Sequence, residues 1–216
     1  MSKTISEIYI DYKIMPCLQD HMFRVAAVAS LICDNFSEPL SKDDIITACL
    51  LHDMGNIVKS DLKYFPEFNK PEGIEYWENI KNEYVEKYGK DEFKVHQKIM
   101  KEIGISEEVI FLVDKIDFTS SCDFRDGDNF FIKIINYADW RVSPYGVVSY
   151  DERMNEAKKR YEGRTDVFVD EGREKLIACG KEIEKQIFAK CKIKPEDIND
   201  ESVKSVILEL KNFVIK

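Results

Sequence analysis

The sequence predicts an all-α fold, and three observations carry that prediction. Almost every long segment repeats its apolar residues at the three-to-four spacing of a helix face. Clean strand alternation is hard to find. The periodic segments are also punctuated by helix start and stop residues: Pro16 and Ser41 at beginnings, Gly55, Gly89 and Gly104 at ends. With 216 residues, 44% hydrophobic and 12% aromatic, the chain can build a single real core, which excludes disorder as its main state.

The first clear helix starts after Pro16 and runs to about Phe36, with Val25, Val28, Ala29 and Ile32 on one buried face. The second opens at Ser41-Lys-Asp-Asp44, where a hydroxyl can cap free amides and two carboxylates suit the positive helix end. It continues through Leu51 and stops at Gly55. Residues 56–71, with Pro66 and Pro71, read as a loop. A third helix follows with Ile74, Trp77, Ile80, Tyr84 and Tyr88 in register, ending near Gly89. Asp91 begins a shorter helix closed by Gly104, and Ser106 begins another that runs into an irregular stretch from Ser120 to Asp128. Residues 129–140 are helical again until Pro144 and Gly146 break the pattern. Helices are expected near 150–162, 171–191 and 201–214, with 192–200 as a turn before the last. The expected division is a catalytic unit over 1–150 and a helical extension over 151–216 packed on the same core.

Charge and cysteines narrow the class. Asp and Glu number 41 against 32 Lys and Arg, a net charge of −9, which argues against an extended nucleic-acid surface. No stretch has the length of a membrane span or of a secretory leader. The six cysteines form no CxxC pair and read as reduced, buried small hydrophobes, hence a cytoplasmic setting. A phosphate loop (GxxxxGK followed by Ser or Thr), a GxGxxG fingerprint, an HExxH helix and a GxSxG elbow are all missing.

Chemistry concentrates on few residues. His21, His52 and His96 each fall on the apolar stripe of a helix and so point inward by periodicity. Taken singly, each is most simply a core histidine with a satisfied hydrogen bond. Asp139 changes that, because it ends FFIKIINYAD on the face of Ile132, Ile135 and Asn136, and an unpaired buried carboxylate costs several kcal/mol. Asp53 ends the equally apolar run ACLLHD. Inward histidines and aspartates satisfy one another best around a divalent ion, and a nitrogen–oxygen donor set suits Mn, Fe, Co, Ni or Zn.

The segments DHMFRVAAVASLI, ACLLHDMGNIVK and INYADWRVSPYG, in that order, resemble the HD-domain metal-dependent phosphohydrolases. The likeness spans residues 16–145 and implies an all-α HD-domain helical bundle, here with additional C-terminal helices. It implies His21, His52, Asp53 and Asp139 as ligands of one divalent ion. Asn56 stands where the family often has lysine, with Lys59 a turn later. Dinuclear members, including bacterial diadenosine tetraphosphate hydrolases, carry two further histidines. His96 is similar to the first, whereas Asp117-Phe118-Thr119 occupies the place of the second. One tightly held ion is therefore expected, a weaker second ion through Asp117 is left open, and His96 is assigned to catalysis beside Asp53.

The expected activity is hydrolysis of a phosphoester of a small phosphorylated molecule, a nucleotide by preference, through attack of a metal-activated hydroxide. The alternatives are a nucleotide-sensing module of the same fold without turnover and, third, a di-iron oxygenase of that fold. Cations for the substrate are expected from Arg24, a turn past His21, from Lys59, and from Arg141, two residues after Asp139. Phe65 and Phe68, in the loop directly after the His-Asp pair, suit a mobile lid or a base-stacking wall as well as plain packing, and Trp77, Tyr84 and Tyr88 the buried side of their helix. The final helix is expected to dock on the core or on a second copy, leaving homo-oligomerisation open.

Overall fold

The computed structural model describes residues 3–160 and 170–215. Eleven α-helices and one two-residue hairpin make up these parts: α1 (Ile5–Asp11), α2 (Pro16–Asn35), α3 (Lys42–Leu51), α4 (Ile74–Tyr88), α5 (Glu92–Ile103), α6 (Glu107–Val113), α7 (Ser121–Asp126), α8 (Phe130–Asp139), β1 (Val142–Ser143), β2 (Gly146–Val147), α9 (Tyr150–Arg160), α10 (Asp170–Phe188) and α11 (Asp200–Leu210). The all-α architecture is as the sequence predicts.

Local signals set most boundaries. Pro16 opens α2, where its missing amide proton costs nothing. Asp91, Ser106 and Asn129 accept backbone amides at the starts of α5, α6 and α8. Gly104 closes α5 in the left-handed conformation, at φ 87°. Ser41 precedes α3 without capping an amide; its hydroxyl donates instead to Asp44.

The centre of the bundle is α2, against which α3, α8, α11 and β1 all pack. Its sequence pattern suggests one buried face, yet every residue from Val25 to Ser30 is buried. The small side chains of Ala26, Ala27 and Ala29 let neighbours approach from several sides, which periodicity alone does not reveal. Residues 45–51 of α3 are likewise buried all round. On α4, Trp77, Ile80, Tyr84 and Tyr88 face inward as expected, with Ile74 exposed at its start.

Several elements differ from expectation. The N-terminal segment forms α1, capped by Thr4 and anchored by Tyr9, whose hydroxyl donates to the Leu50 carbonyl at 2.5 Å. Around it the two ends of the chain pair, with Ile5 N–H to Phe213 O at 2.8 Å and Ile215 N–H to Lys3 O at 3.1 Å. The stretch 118–126 is a 3-10 turn followed by α7, where an irregular segment was expected. Pro66–Asn69 forms a further 3-10 turn inside the expected loop. The expected continuation of α9 to 162 lies outside the described residues, and α11 ends at Leu210 rather than 214. Cys122 and Cys179, separated by 57 positions, are disulfide-bonded, which corrects the reading of all six cysteines as reduced. The packing of α7 on α10 brings them together, and spacing in the sequence carries no trace of it. Cys17, Cys33, Cys49 and Cys191 are free thiols.

Arg141 is a second correction. Rather than reaching substrate, its guanidinium is 2% exposed and holds the end of α8 to the C-terminal segment. It donates to Val148 O, to Tyr137 Oη at 2.7 Å, and to the carbonyls of Pro195 at 3.2 Å and Ile198 at 2.7 Å. Tyr137 in turn donates to Glu184 on α10 at 2.6 Å. Removing such a buried cation leaves the carbonyls of Val148 and Ile198 without that donor, whereas Pro195 O keeps the Ile198 amide. Arg141→Met should therefore lower stability by about 3 kcal/mol or more, read as a drop in the urea midpoint, while the folded fraction keeps its metal content.

Candidate metal centre

Three helices and the turn after α3 bring the predicted ligands together: His21, His52 and Asp53 form one group, and Asp139 reaches both histidines. His21 stands on α2, His52 closes α3 with Asp53 in the turn that follows, and Asp139 is the last residue of α8. His21 Nε2 lies 3.0 Å from Asp139 Oδ1 and 3.6 Å from Asp53 Oδ2. His52 Nε2 lies 3.6 Å from both Asp53 Oδ1 and Asp139 Oδ1. The donor atoms of His21, His52 and Asp53 all fall within 4.8 Å of one another, the one such group of three among the described residues.

The donors fit a transition-metal ion. Ligand atoms about 2.0–2.2 Å from a metal are about 3.0–3.5 Å apart, the separation seen between these side chains. The His52 tautomer is also fixed correctly. Its Nδ1 donates to the Cys49 carbonyl at 2.8 Å, so Nε2 is the nitrogen that faces the cluster, where that buried atom has no hydrogen-bond partner. Burial works against a charge on His52, but the Asp53 and Asp139 carboxylates override it and lift the imidazole to about 9. Asp139 is buried too; the His21 imidazole at 3.0 Å and that of His52 at 3.6 Å nevertheless hold it well below the usual carboxylate range. Asp53 is lowered against the same burial penalty by the nearby charge of His52 and His21. A divalent ion bound here would be held by these deprotonated side chains and would supply the positive charge that the two carboxylates call for.

The cluster forms the floor of a cavity of about 1130 Å³. His96, on α5, lines the same cavity and is 7% exposed, with its Nε2 buried and unpartnered. Burial lowers its pKa, outweighing the pull of Asp53, so the ring is neutral near pH 7. Gly55 permits this placement: a Cβ there would lie 2.9 Å from Val95 Cγ1 and 3.2 Å from the His96 ring. Asp117 also lines the cavity. Its carboxylate, however, accepts from Thr119 N–H at 2.9 Å, Thr119 Oγ1 at 2.5 Å and Ser120 Oγ at 2.7 Å, capping its own turn.

The predicted cations divide. Lys59 lines the cavity and pairs with Glu92 at 2.5 Å. Arg24 is half-buried on α2 and Arg141 is committed to the core; neither is among the residues lining the cavity. The cavity's arginines come instead from the C-terminal third: Arg153 and Arg160 on α9 and Arg173 on α10. Arg153 and Arg160 both pair with Glu156, at 2.7 and 3.1 Å. Their spacing of three and four residues around Glu156 places them on one helix face, a signal present in the sequence. Asn56, whose buried Oδ1 has no partner, is a further cavity residue that the sequence did not single out as a ligand contact.

Residues 18–118 match the HD-domain family model, a similarity that supports membership of the HD-domain superfamily, whose members are largely metal-dependent hydrolases. No curated protein and no solved structure matches the chain. The match includes His21, His52, Asp53 and His96 and ends before Asp139. Among the described residues, no helix is long and apolar enough to cross a membrane.

Two outcomes follow from this geometry. Elemental analysis of protein purified without a histidine tag or chelator should find about one divalent ion per chain, absent from His52→Ala and Asp53→Ala. Gly55→Ala should cost about 1–3 kcal/mol in thermal or urea unfolding, because its methyl group must displace Val95 or the His96 ring in a packed interior.

Proposed function

We propose that the protein is a metal-dependent phosphohydrolase that cleaves a phosphoester of a small phosphorylated molecule, with a nucleotide as the preferred substrate. One observation carries the reading: two imidazoles and two carboxylates from three helices and the turn after α3 converge at 3.0–3.6 Å on the floor of an open cavity.

In this proposal His21, His52, Asp53 and Asp139 hold the ion, one of Mn, Fe, Co, Ni or Zn. Such an ion, when bound, supplies a water acidified toward neutrality and draws charge from phosphoryl oxygens. Asp53 has a carboxylate at the cavity floor beside both histidines, and its oxygens orient the attacking water in line with phosphorus. The neutral His96 presents an unpartnered ring nitrogen to the same space and meets a phosphoryl oxygen or the leaving oxygen. Asn56 and Lys59, on the turn just after the His-Asp pair, line the same cavity and receive the remaining phosphoryl charge. The similarity to the family supports hydrolysis; the ring-rich cavity wall at Phe65 and Phe68 supports the nucleotide.

A panel of phosphomonoesters, assayed for phosphate release with each of the five ions, tests the proposal. Asp53→Ala and His52→Ala should each lower metal-dependent release by more than about a hundredfold, with the far-ultraviolet dichroism of the helices retained. Unchanged turnover in either variant rejects the site.

A further inference from the structure

We infer that the rings of Tyr64, Phe65, Phe68 and Tyr145 form a ledge at the cavity that takes a planar heterocycle on the alcohol part of the substrate. This rests on the phosphohydrolase reading for the identity of the other end of the ligand.

The ledge lies between two spaces. Tyr64, Phe65 and Arg160 line both the metal-floored cavity and an adjoining groove of about 730 Å³, while Phe68 belongs to the first and Tyr145 to the second. The four rings form an unbroken series, with centroids 4.7 Å apart from Tyr64 to Phe65, 5.4 Å from Phe65 to Phe68 and 6.1 Å from Phe68 to Tyr145. They are not a core: Tyr145 is 69% exposed and Tyr64 45% exposed. Aromatic area left in water at the edge of a cavity is area available to a ligand.

The ledge is also held in place. Phe65 precedes the turn Pro66–Asn69 and Phe68 lies within it; the buried Asn69 donates to Leu62 O at 2.7 Å and its carbonyl accepts from Trp77 Nε1 at 3.2 Å. Tyr145 sits at the tip of the β1–β2 hairpin, where Ser143 Oγ accepts the amides of Tyr145 and Gly146, each at 3.2 Å. Tyr64 donates to the Arg160 carbonyl at 2.7 Å and so fastens the loop after the His-Asp turn to the end of α9. Rings presented from three fixed elements lose little freedom on binding. Stacking on such a surface tolerates different bases, since each has a π-face.

Adenosine 5′-monophosphate and ribose 5-phosphate present the same phosphoester to the metal end and differ in the ring alone. The metal-loaded protein should prefer the former by about tenfold or more in kcat/KM, and Phe65→Ala and Tyr145→Ala should each reduce that ratio several-fold. Tyr145 is exposed at a turn, so its variant keeps the test decisive if Phe65→Ala fails to fold. Calorimetric binding of the two ligands provides a readout independent of turnover. If no phosphoester is hydrolysed with any ion, the phosphohydrolase reading fails, and about tenfold tighter binding of the nucleotide still supports the ledge. Equal binding and equal kcat/KM for the two ligands, or a preference that survives both variants, overturns it.

Discussion

A carboxylate at the end of a buried helix is the constraint around which this bundle is arranged. Asp139 follows Tyr137 and Ala138, both fully buried, and it remains ionised because two imidazoles reach it from α2 and α3. Neither histidine could do this from a surface helix. The Ala-rich stretch of α2 brings α3 and α8 close enough for His21, His52 and Asp139 to share one point, and the stretch is buried as a consequence. Close packing and the metal centre are thus one requirement: larger side chains at Ala26, Ala27 or Ala29 would separate the helices that carry the ligands.

The turn after α3 shows the same economy. His52 caps the helix while its Nδ1 is satisfied by a carbonyl one turn back, so the helix end itself selects the tautomer. Asp53 is placed by that cap, and Gly55 lets α5 come within contact of the turn so that His96 faces the cavity. A local sequence of four residues, His52 to Gly55, therefore fixes two donors, one ring orientation and one helix–helix approach.

Much of this was legible in the sequence because it is periodic or local. Helical spacing exposed the inward direction of His21, His52, His96 and Asp139, and caps such as Asp91, Ser106 and Gly104 marked boundaries to within a residue or two. The cations were not legible in the same way. Arg141 lies two residues from Asp139, and proximity in sequence suggested substrate. Its direction is set by carbonyls at 195 and 198, over fifty positions away, which no local pattern reports. The Cys122–Cys179 bond and the α1 anchor at Leu50 fail to show for the same reason, since each depends on a long-range contact between segments of unremarkable composition.

The division between what periodicity reveals and what it hides is also a division of labour in the molecule. The metal ligands and His96 stand on helices or in the helix-ending turn, packed in the core, where a shift of an ångström would cost both stability and chemistry. The cavity's outer wall is drawn from turns and from α9: Phe65 and Phe68 at a 3-10 turn, Tyr145 on a hairpin tip, Arg153 and Arg160 on a charged helix face. Arg153, Tyr145 and Arg160 also lie beyond the stretch that matches the HD-domain family. Substitutions there change area and charge at the mouth without moving the helices that hold the ligands. A single bundle can therefore keep its histidine–aspartate cluster while the outer wall of the cavity varies, because the two are built from different elements.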